Sequence, residues 1–105
     1  MNGKIRRELS KIMGVIISKY RPKKVILYGS AAVNKMSEGS DIDLFVIKDT
    51  KKNAWERLLD VDQYIDHSVP VDILVYTPKE IKKRLLMGDL FVEYILKHGK
   101  VLYAR

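Results

Sequence analysis

Two periods of apolar residues run along this chain, and they divide it into helices and strands. Apolar side chains from Ile5 to Tyr20 recur every three or four positions. This spacing predicts an amphipathic helix over residues 3–20, which ends before Pro22. Short apolar runs predict strands over residues 25–28, 41–47 and 71–77, with a short edge strand over 101–103.

The remaining segments carry helix-start and loop signals. Asn53 can cap a helix through residue 66, whose apolar side includes Trp55 and Leu58. Thr77 begins a capping-box sequence that opens a helix to about residue 87. A further helix is predicted from about residue 89 to 98, with Gly99 as its C-terminal cap. Its apolar stripe is expected to contain Leu90, Phe91, Tyr94 and Ile95. Residues 31–35 could form one helical turn, and residues 36–40 read as a polar loop.

The predicted order is α-β-(α)-β-α-β-α-α-β. This order indicates the α/β (α+β) class, with helices packed on a small mixed sheet. At 105 residues, the chain is expected to form one domain over residues 1–105.

Composition narrows the function classes. The chain contains no cysteine, so disulfides and thiolate metal sites are excluded. It has neither a signal-peptide pattern nor a membrane-spanning run, and we expect a cytoplasmic protein without a membrane partner. The net charge of +7 suits a polyanion or a lysine-rich solvated surface. Its basic residues are scattered and not interleaved with aromatics, which disfavours direct nucleic-acid binding.

A candidate site lies at the ends of the predicted strands. Gly29 and Ser30 form a tight turn in which backbone amides and a hydroxyl can hold phosphate. Asp41 and Asp43 are alternate residues of a strand, so their carboxylates project from one face about 6.6 Å apart. Asp72 interrupts an apolar strand, where burial of an unpaired acid is costly, and it is the obvious third metal ligand.

Oxygen ligands of this kind favour Mg²⁺, with Mn²⁺ as an alternative, over zinc. Such ions neutralise a triphosphate and stabilise a leaving pyrophosphate. Asp72 is the residue best suited to help deprotonate an acceptor hydroxyl. Asp60 and Asp62 have the same spacing as Asp41 and Asp43, but they fall in a helical pattern and are interpreted as a solvated helix face.

The stretch from Leu27 to Ala32, together with Ser40-Asp41-Ile42-Asp43, resembles the signature of the polymerase-beta-type nucleotidyltransferases. The match is to the smallest branch, the minimal nucleotidyltransferases, and it extends over nearly the whole chain. The resemblance implies their fold, with two Mg²⁺ ions on Asp41, Asp43 and Asp72. It also implies that Gly29 and Ser30 hold the triphosphate of ATP.

Val33-Asn34 stands where the family commonly has Arg-Gly, and Lys35 partly replaces the missing cation as a nucleotide-binding residue. Members of this branch typically act as antitoxins that transfer AMP from ATP to a tyrosine of a helical HEPN ribonuclease toxin. Two alternatives stay open at this point. One is a binding module that neutralises its partner without catalysis, and the other is transfer to a small molecule or RNA. Phe45 and Ile47 follow Asp41 and Asp43 on one strand face, as Leu74 and Tyr76 follow Asp72, and a protein partner or a second copy of the chain could cover part of that apolar surface.

Overall fold

Four strands form the central sheet of this protein. The computed structural model describes residues 3–29, 42–66 and 68–105. The strands are β1 (Lys24–Tyr28), β2 (Ile42–Ile47), β3 (Val71–Tyr76) and β4 (Lys100–Ala104). Their spatial order is β3-β2-β1-β4, in which β1 runs antiparallel to β2 and β4 while β2 and β3 are parallel. The predicted α/β class with a mixed sheet is confirmed, and β4 lies at an edge as expected.

The helices begin where the sequence supplies caps. They are α1 (Gly3–Val15), α2 (Ala54–Asp62), α3 (Pro78–Leu86) and α4 (Leu90–His98). Asn53 and Thr77 each form a capping box, with Glu56 and Glu80 respectively, as their sequences predict. Asp89 caps α4 by accepting the N–H groups of the two residues after Leu90. These local side-chain bonds satisfy backbone donors that a helix start leaves unpaired.

The first helix continues past α1 as a π-helical turn. This turn spans Ile16–Tyr20 and ends at Arg21, whose φ of 57° is left-handed. Lys48, just after β2, donates its ammonium to the Tyr20 carbonyl and lies 4.3 Å from the centroid of the Tyr20 ring. Burial lowers the pKa of Lys48. These two contacts hold the π-helical turn against the end of β2.

The strands separate two hydrophobic layers because alternate side chains point to opposite faces. The first layer joins α1 and α2 to one face, through residues such as Ile12, Val25 and Leu44. The second layer joins α3 and α4 to the other face, around Phe45 and Ile95. Asp43 and Asp72 lie two residues before Phe45 and Leu74, which belong to this second layer, so both acids lie on the α3–α4 side of the sheet.

The predicted helix through residue 66 is too long, because α2 ends at Asp62 and Gln63 is its C-cap. The predicted third strand is one residue too long, because Thr77 already caps α3. The predicted turn over 31–35 and the loop over 36–40 lie outside the described residues.

The predicted apolar faces of α2 and α4 are wrong in part. Trp55 is 66% exposed and Leu90 is 77% exposed, whereas Val92 and Ile95 hold α4 on the sheet. Helices of nine residues with apolar side chains around most of their surface cannot bury all of them. The excess apolar residues remain at the protein surface.

Gly99 caps α4 as predicted, but its backbone is extended and not left-handed (φ −68°). A Cβ built there would lie 2.4 Å from Ile26 Cγ2 and 2.5 Å from the Ile95 carbonyl oxygen. Glycine is therefore required at this position by the close approach of the chain to β1.

Candidate functional site

The turn after β1 lies against a carboxylate of β2. Tyr28 is the register partner of Asp43, which places Gly29 beside the Asp43 side chain. The φ of Gly29 is +74°, and a Cβ built on it would lie 2.5 Å from Asp43 Oδ2. Only glycine permits this approach without displacing the carboxylate. The predicted role of Gly29 in holding a phosphate stays a prediction, since the group that approaches it here is the carboxylate of Asp43.

A second carboxylate lies beside the first. Asp43 and Asp72 are register partners in the parallel pair formed by β2 and β3, on strands that lie about 4.8 Å apart. Like charges at such a position repel each other, and a cation between them removes that cost. Two carboxylates that converge on one face, beside a turn without a Cβ, therefore fit a divalent metal held by oxygen ligands.

The negative charges of Asp43 and Asp72 also act on Tyr28. Burial, then the charges of Asp43 and Asp72, raise the pKa of the Tyr28 hydroxyl to about 12. Tyr28 is thus neutral at physiological pH, and its ring packs edge-on against Phe91 with centroids 5.8 Å apart. The site is electronegative and has an aromatic wall on the α4 side.

Asp72 differs from its prediction in one respect. Its side chain is exposed, so the burial cost that singled it out from the sequence does not apply. Its position beside Asp43 is what places it in the candidate site. An exposed carboxylate at the sheet surface is accessible to a substrate hydroxyl.

Three predicted site residues, Ser30, Lys35 and Asp41, lie outside the described residues. Among residues 3–29, 42–66 and 68–105, no three His, Cys, Asp or Glu side chains are grouped closely enough to hold a metal ion. The three-carboxylate site that includes Asp41 therefore stays a prediction. Gly29, Asp43 and Asp72 are the members that the described structure brings together.

Sequence reasoning missed Arg57, a charged residue that is only 8% exposed. Its Nε donates to the Lys52 carbonyl at 2.6 Å, and its Nη1 donates to the Val75 carbonyl at 3.3 Å and to Glu80 Oε1 at 2.6 Å. The hydrogen bond from Arg57 lowers the pKa of Glu80. Arg57 precedes the buried Val61 by four positions, and this helical spacing was the available signal.

Comparison with known proteins shows the family to which this chain belongs. The family model described as "Polymerase beta, Nucleotidyltransferase" matches residues 10–105, and the chain belongs to this family. A protein of Methanocaldococcus jannaschii named "Putative protein adenylyltransferase" is 28% identical over 107 residues, which cover 92% of this chain and 96% of that protein.

A solved structure has the same fold. It is described as a "putative nucleotidyltransferase" from Sulfolobus solfataricus and superposes with a TM-score of 0.62. The match covers 100% of this chain and 90% of the other at 20% identity. At that identity the likeness concerns the fold alone. Separately, none of the helices in the described part of the chain has the length and apolar character to cross a bilayer.

Proposed function

We propose that this protein is a Mg²⁺-dependent adenylyltransferase that moves AMP from ATP to a tyrosine hydroxyl of a protein partner. The observation that carries the proposal is the convergence of Gly29, Asp43 and Asp72 on one face of the sheet. By its resemblance to the minimal nucleotidyltransferases, the partner is a helical HEPN ribonuclease toxin, and the transfer silences it. The protein would then act as an antitoxin in the cytoplasm.

The reaction forms one bond and breaks one. The acceptor oxygen attacks the α-phosphorus of ATP, and the bond from that phosphorus to the bridging oxygen of pyrophosphate breaks. The products are the adenylylated hydroxyl, pyrophosphate and one proton. Positioning of the two reactants supplies much of the rate in phosphoryl transfers of this kind.

Each residue has an assigned role in this proposal. Gly29 and Ser30 hold the triphosphate with backbone and hydroxyl donors, and Lys35 adds a cation. Asp41, Asp43 and Asp72 would hold two Mg²⁺ ions, or Mn²⁺, which neutralise the triphosphate and stabilise the departing pyrophosphate. The exposed Asp72 would accept the proton of the acceptor hydroxyl, because it is the carboxylate that a second substrate can reach from solvent.

Two observations support a protein as the acceptor. The relative from M. jannaschii carries the name of a protein adenylyltransferase. In addition, the turn between α3 and α4 exposes large apolar side chains, with Leu86 81%, Met87 67% and Leu90 77% exposed. Exposed apolar clusters of this kind mark surfaces that contact other proteins. Transfer to a small molecule or to RNA has no comparable support.

The test removes the negative charge of the first two ligands. In the double variant Asp41→Asn, Asp43→Asn, labelling of the co-purified partner by α-labelled ATP should be abolished while the circular dichroism spectrum is retained. The double variant Asp60→Asn, Asp62→Asn is the matched control, since it makes the same change at the same spacing on α2. Undiminished labelling in the first variant would refute the proposed mechanism.

The exposed α3–α4 turn also favours a second candidate, a binding module that neutralises its partner by complex formation. The two candidates differ in what the Asp41→Asn, Asp43→Asn variant does in cells that express the toxin. The catalytic proposal expects the variant to bind the toxin and to leave it active. The binding proposal expects full protection by the same variant.

A further inference from the structure

The outer edge of β3 has its backbone groups directed away from the sheet. Ile42 N–H donates to the Pro70 carbonyl at 2.9 Å, and Lys48 N–H donates to the Tyr76 carbonyl at 3.0 Å. In a parallel pair, alternate residues of a strand bond to a given neighbour. The even-numbered residues of β3 therefore face β2. The residues that point their N–H and C=O groups outward are Val71, Ile73 and Val75.

A groove of about 610 Å³ runs along this edge between α2 and α3. Residues 73–76 of β3 form its floor. Trp55 and Leu58 form the wall on the α2 side, and Met87 forms part of the α3 wall. Trp55 and Met87 are 66% and 67% exposed, so apolar surface is available to an occupant.

The two edges of the sheet differ in regularity. The pairing of β1 with β4 shifts register between Val25 and Ile26, and charged Lys100 and Arg105 flank that edge. Shifts and charges of this kind hinder the addition of another strand. β3 pairs with β2 without a shift along its whole length, and its outward residues are apolar and β-branched. The β3 edge is therefore the one suited to accept a strand.

Arg57 limits where a strand could pair. Its Nη1 donates to the outward carbonyl of Val75, which closes the edge at that point. A docked segment would instead pair around Ile73, one residue from Asp72. Because an extended chain rises about 3.3 Å per residue, a side chain of that segment lies within reach of the Asp43–Asp72 pair.

The charges of the groove indicate the chemistry of its occupant. Lys83 and Arg84 line the α3 wall, and Glu80 is neutralised by its 2.6 Å ion pair with Arg57. Arg84 is half exposed and pairs with Asp89 at 3.7 Å, so Lys83 supplies the net positive charge of the α3 wall. A second copy of the chain, at +7, would meet this surface with like charge. A segment with acidic side chains is complementary to it.

We propose that the β3-edge groove is the docking site of the acceptor polypeptide, which adds as an extended strand at Ile73 and presents alternating acidic and apolar side chains. The identification of this segment as the acceptor rests on the proposed adenylyl transfer. Its docking does not, because strand addition needs only the backbone groups of β3 and the walls of the groove.

Trp55 makes docking directly measurable, because it is the only tryptophan of the chain. The probe is a short peptide of alternating Glu and Val with one central Tyr, and its counterpart carries Lys in place of Glu. The Glu peptide should cause a saturable blue shift of the tryptophan emission as Trp55 is covered. The Lys peptide should cause none at the same concentrations.

Two matched comparisons test the chemistry of the groove. Lys83→Glu should weaken the Glu peptide by about tenfold. Lys82→Glu, at the adjacent α3 position outside the lining, should leave its affinity within about twofold. A Glu peptide N-methylated at every residue should lose binding, because neither of its edges can donate backbone hydrogen bonds to β3. This last measurement needs no change to the protein and cannot be confused with misfolding.

Several results would overturn the docking proposal. The first two are binding of the N-methylated peptide as tight as that of the Glu peptide, and equal affinities of the Lys82→Glu and Lys83→Glu variants for the Glu peptide. The third is a blue shift of the tryptophan emission when ATP is added alone. The fourth is a blue shift that grows with protein concentration in the absence of peptide, together with formation of a dimer. Failure of the adenylyl-transfer proposal is distinguishable from these results. It would show as saturable docking by these criteria without transfer from α-labelled ATP to the partner.

Discussion

The substitution Gly29→Ala tests whether the turn after β1 positions a catalytic carboxylate. The added Cβ would lie 2.5 Å from Asp43 Oδ2, whereas ordinary contacts begin at 3.4 Å. The carboxylate must therefore move by about 0.9 Å. A displacement of about 1 Å in an active site can cost about 100-fold in rate. We expect label transfer from ATP to the partner to fall by roughly that factor.

The same substitution also strains the backbone, and Gly88→Ala isolates that effect. Gly88 has nearly the same φ as Gly29, +76° against +74°, but nothing lies within 4 Å of a Cβ built on it. An L-residue in this region costs about 1–2 kcal/mol, so both variants should lose comparable stability. In a domain of this size, each kcal/mol lowers Tm by about 4–8 °C.

The assay compares the two variants at a temperature where both are folded. Thermal unfolding followed by circular dichroism sets that temperature, and initial rates of transfer from α-labelled ATP are then measured. At a saturating concentration of the partner, Gly88→Ala should transfer at the rate of the unmodified protein, and Gly29→Ala about 100-fold more slowly. Equal rates in the two variants would refute the reasoning that the Gly29 approach positions Asp43.

Three further predictions concern stability. Gly99→Ala should destabilise the fold by about 2–4 kcal/mol in urea unfolding, because the added Cβ would collide with the Ile95 carbonyl. Gly14→Ala, where a Cβ meets open space within α1, should instead stabilise the fold by up to about 1 kcal/mol. Equal effects of the two substitutions would contradict the packing at Gly99. Since the Arg57 hydrogen bond lowers the Glu80 pKa, this pair stabilises the fold above the ordinary carboxyl pKa of 4.5, and its contribution is lost as pH falls through the lowered value. Glu80 is 42% exposed, so Glu80→Gln should lower the free energy of unfolding by only about 1 kcal/mol at pH 7. It should also weaken the dependence of that free energy on pH in the acid range. An unchanged acid transition would contradict the stabilising role of the Arg57–Glu80 pair. Lys48→Met removes a hydrogen bond and a cation–π contact from the π-helical turn and should cost about 1–2 kcal/mol in thermal unfolding; a Tm equal to that of the unmodified protein would contradict this role.

Local signals in the sequence account for much of the fold. The capping boxes at Asn53 and Thr77 lie where they were predicted, because a cap depends on residues three apart. The strands also follow from local alternation. The predicted end of α2 was four residues too late and that of β3 one residue too late, and the ends of elements are the least certain part of such predictions.

Local sequence patterns could not predict which faces of the helices are buried. Arg57 is buried while Trp55 is exposed, because the partners of Arg57 come from β3 and α3, far along the chain. The side of α4 that meets the sheet is likewise chosen by tertiary contacts. Apolar periodicity cannot select one face when a short helix is apolar on several.

The candidate site combines both kinds of information. The spacing of Gly29, Asp43 and Asp72 relative to their strands identifies the residues, but only the register between strands brings them together. Asp72 was selected by a burial argument that its exposure contradicts, and its role as a metal ligand stays a prediction, which its position beside Asp43 supports. Register between β2 and β3 depends on a crossover through α2, which a single sequence does not fix.

The two carboxylates of the site have unequal mechanical support. β2 is flanked by β1 and β3, and Ile42, Leu44, Phe45 and Val46 around Asp43 are fully buried. We expect the amide protons of such a strand to exchange at close to the free energy of global unfolding, so Asp43 is held in place before any ligand binds. Asp72 lies on an edge strand, whose amides open at lower free energy. In the absence of substrate, hydrogen exchange should therefore be faster in β3 than in β2, which makes the edge strand the adjustable half of the site.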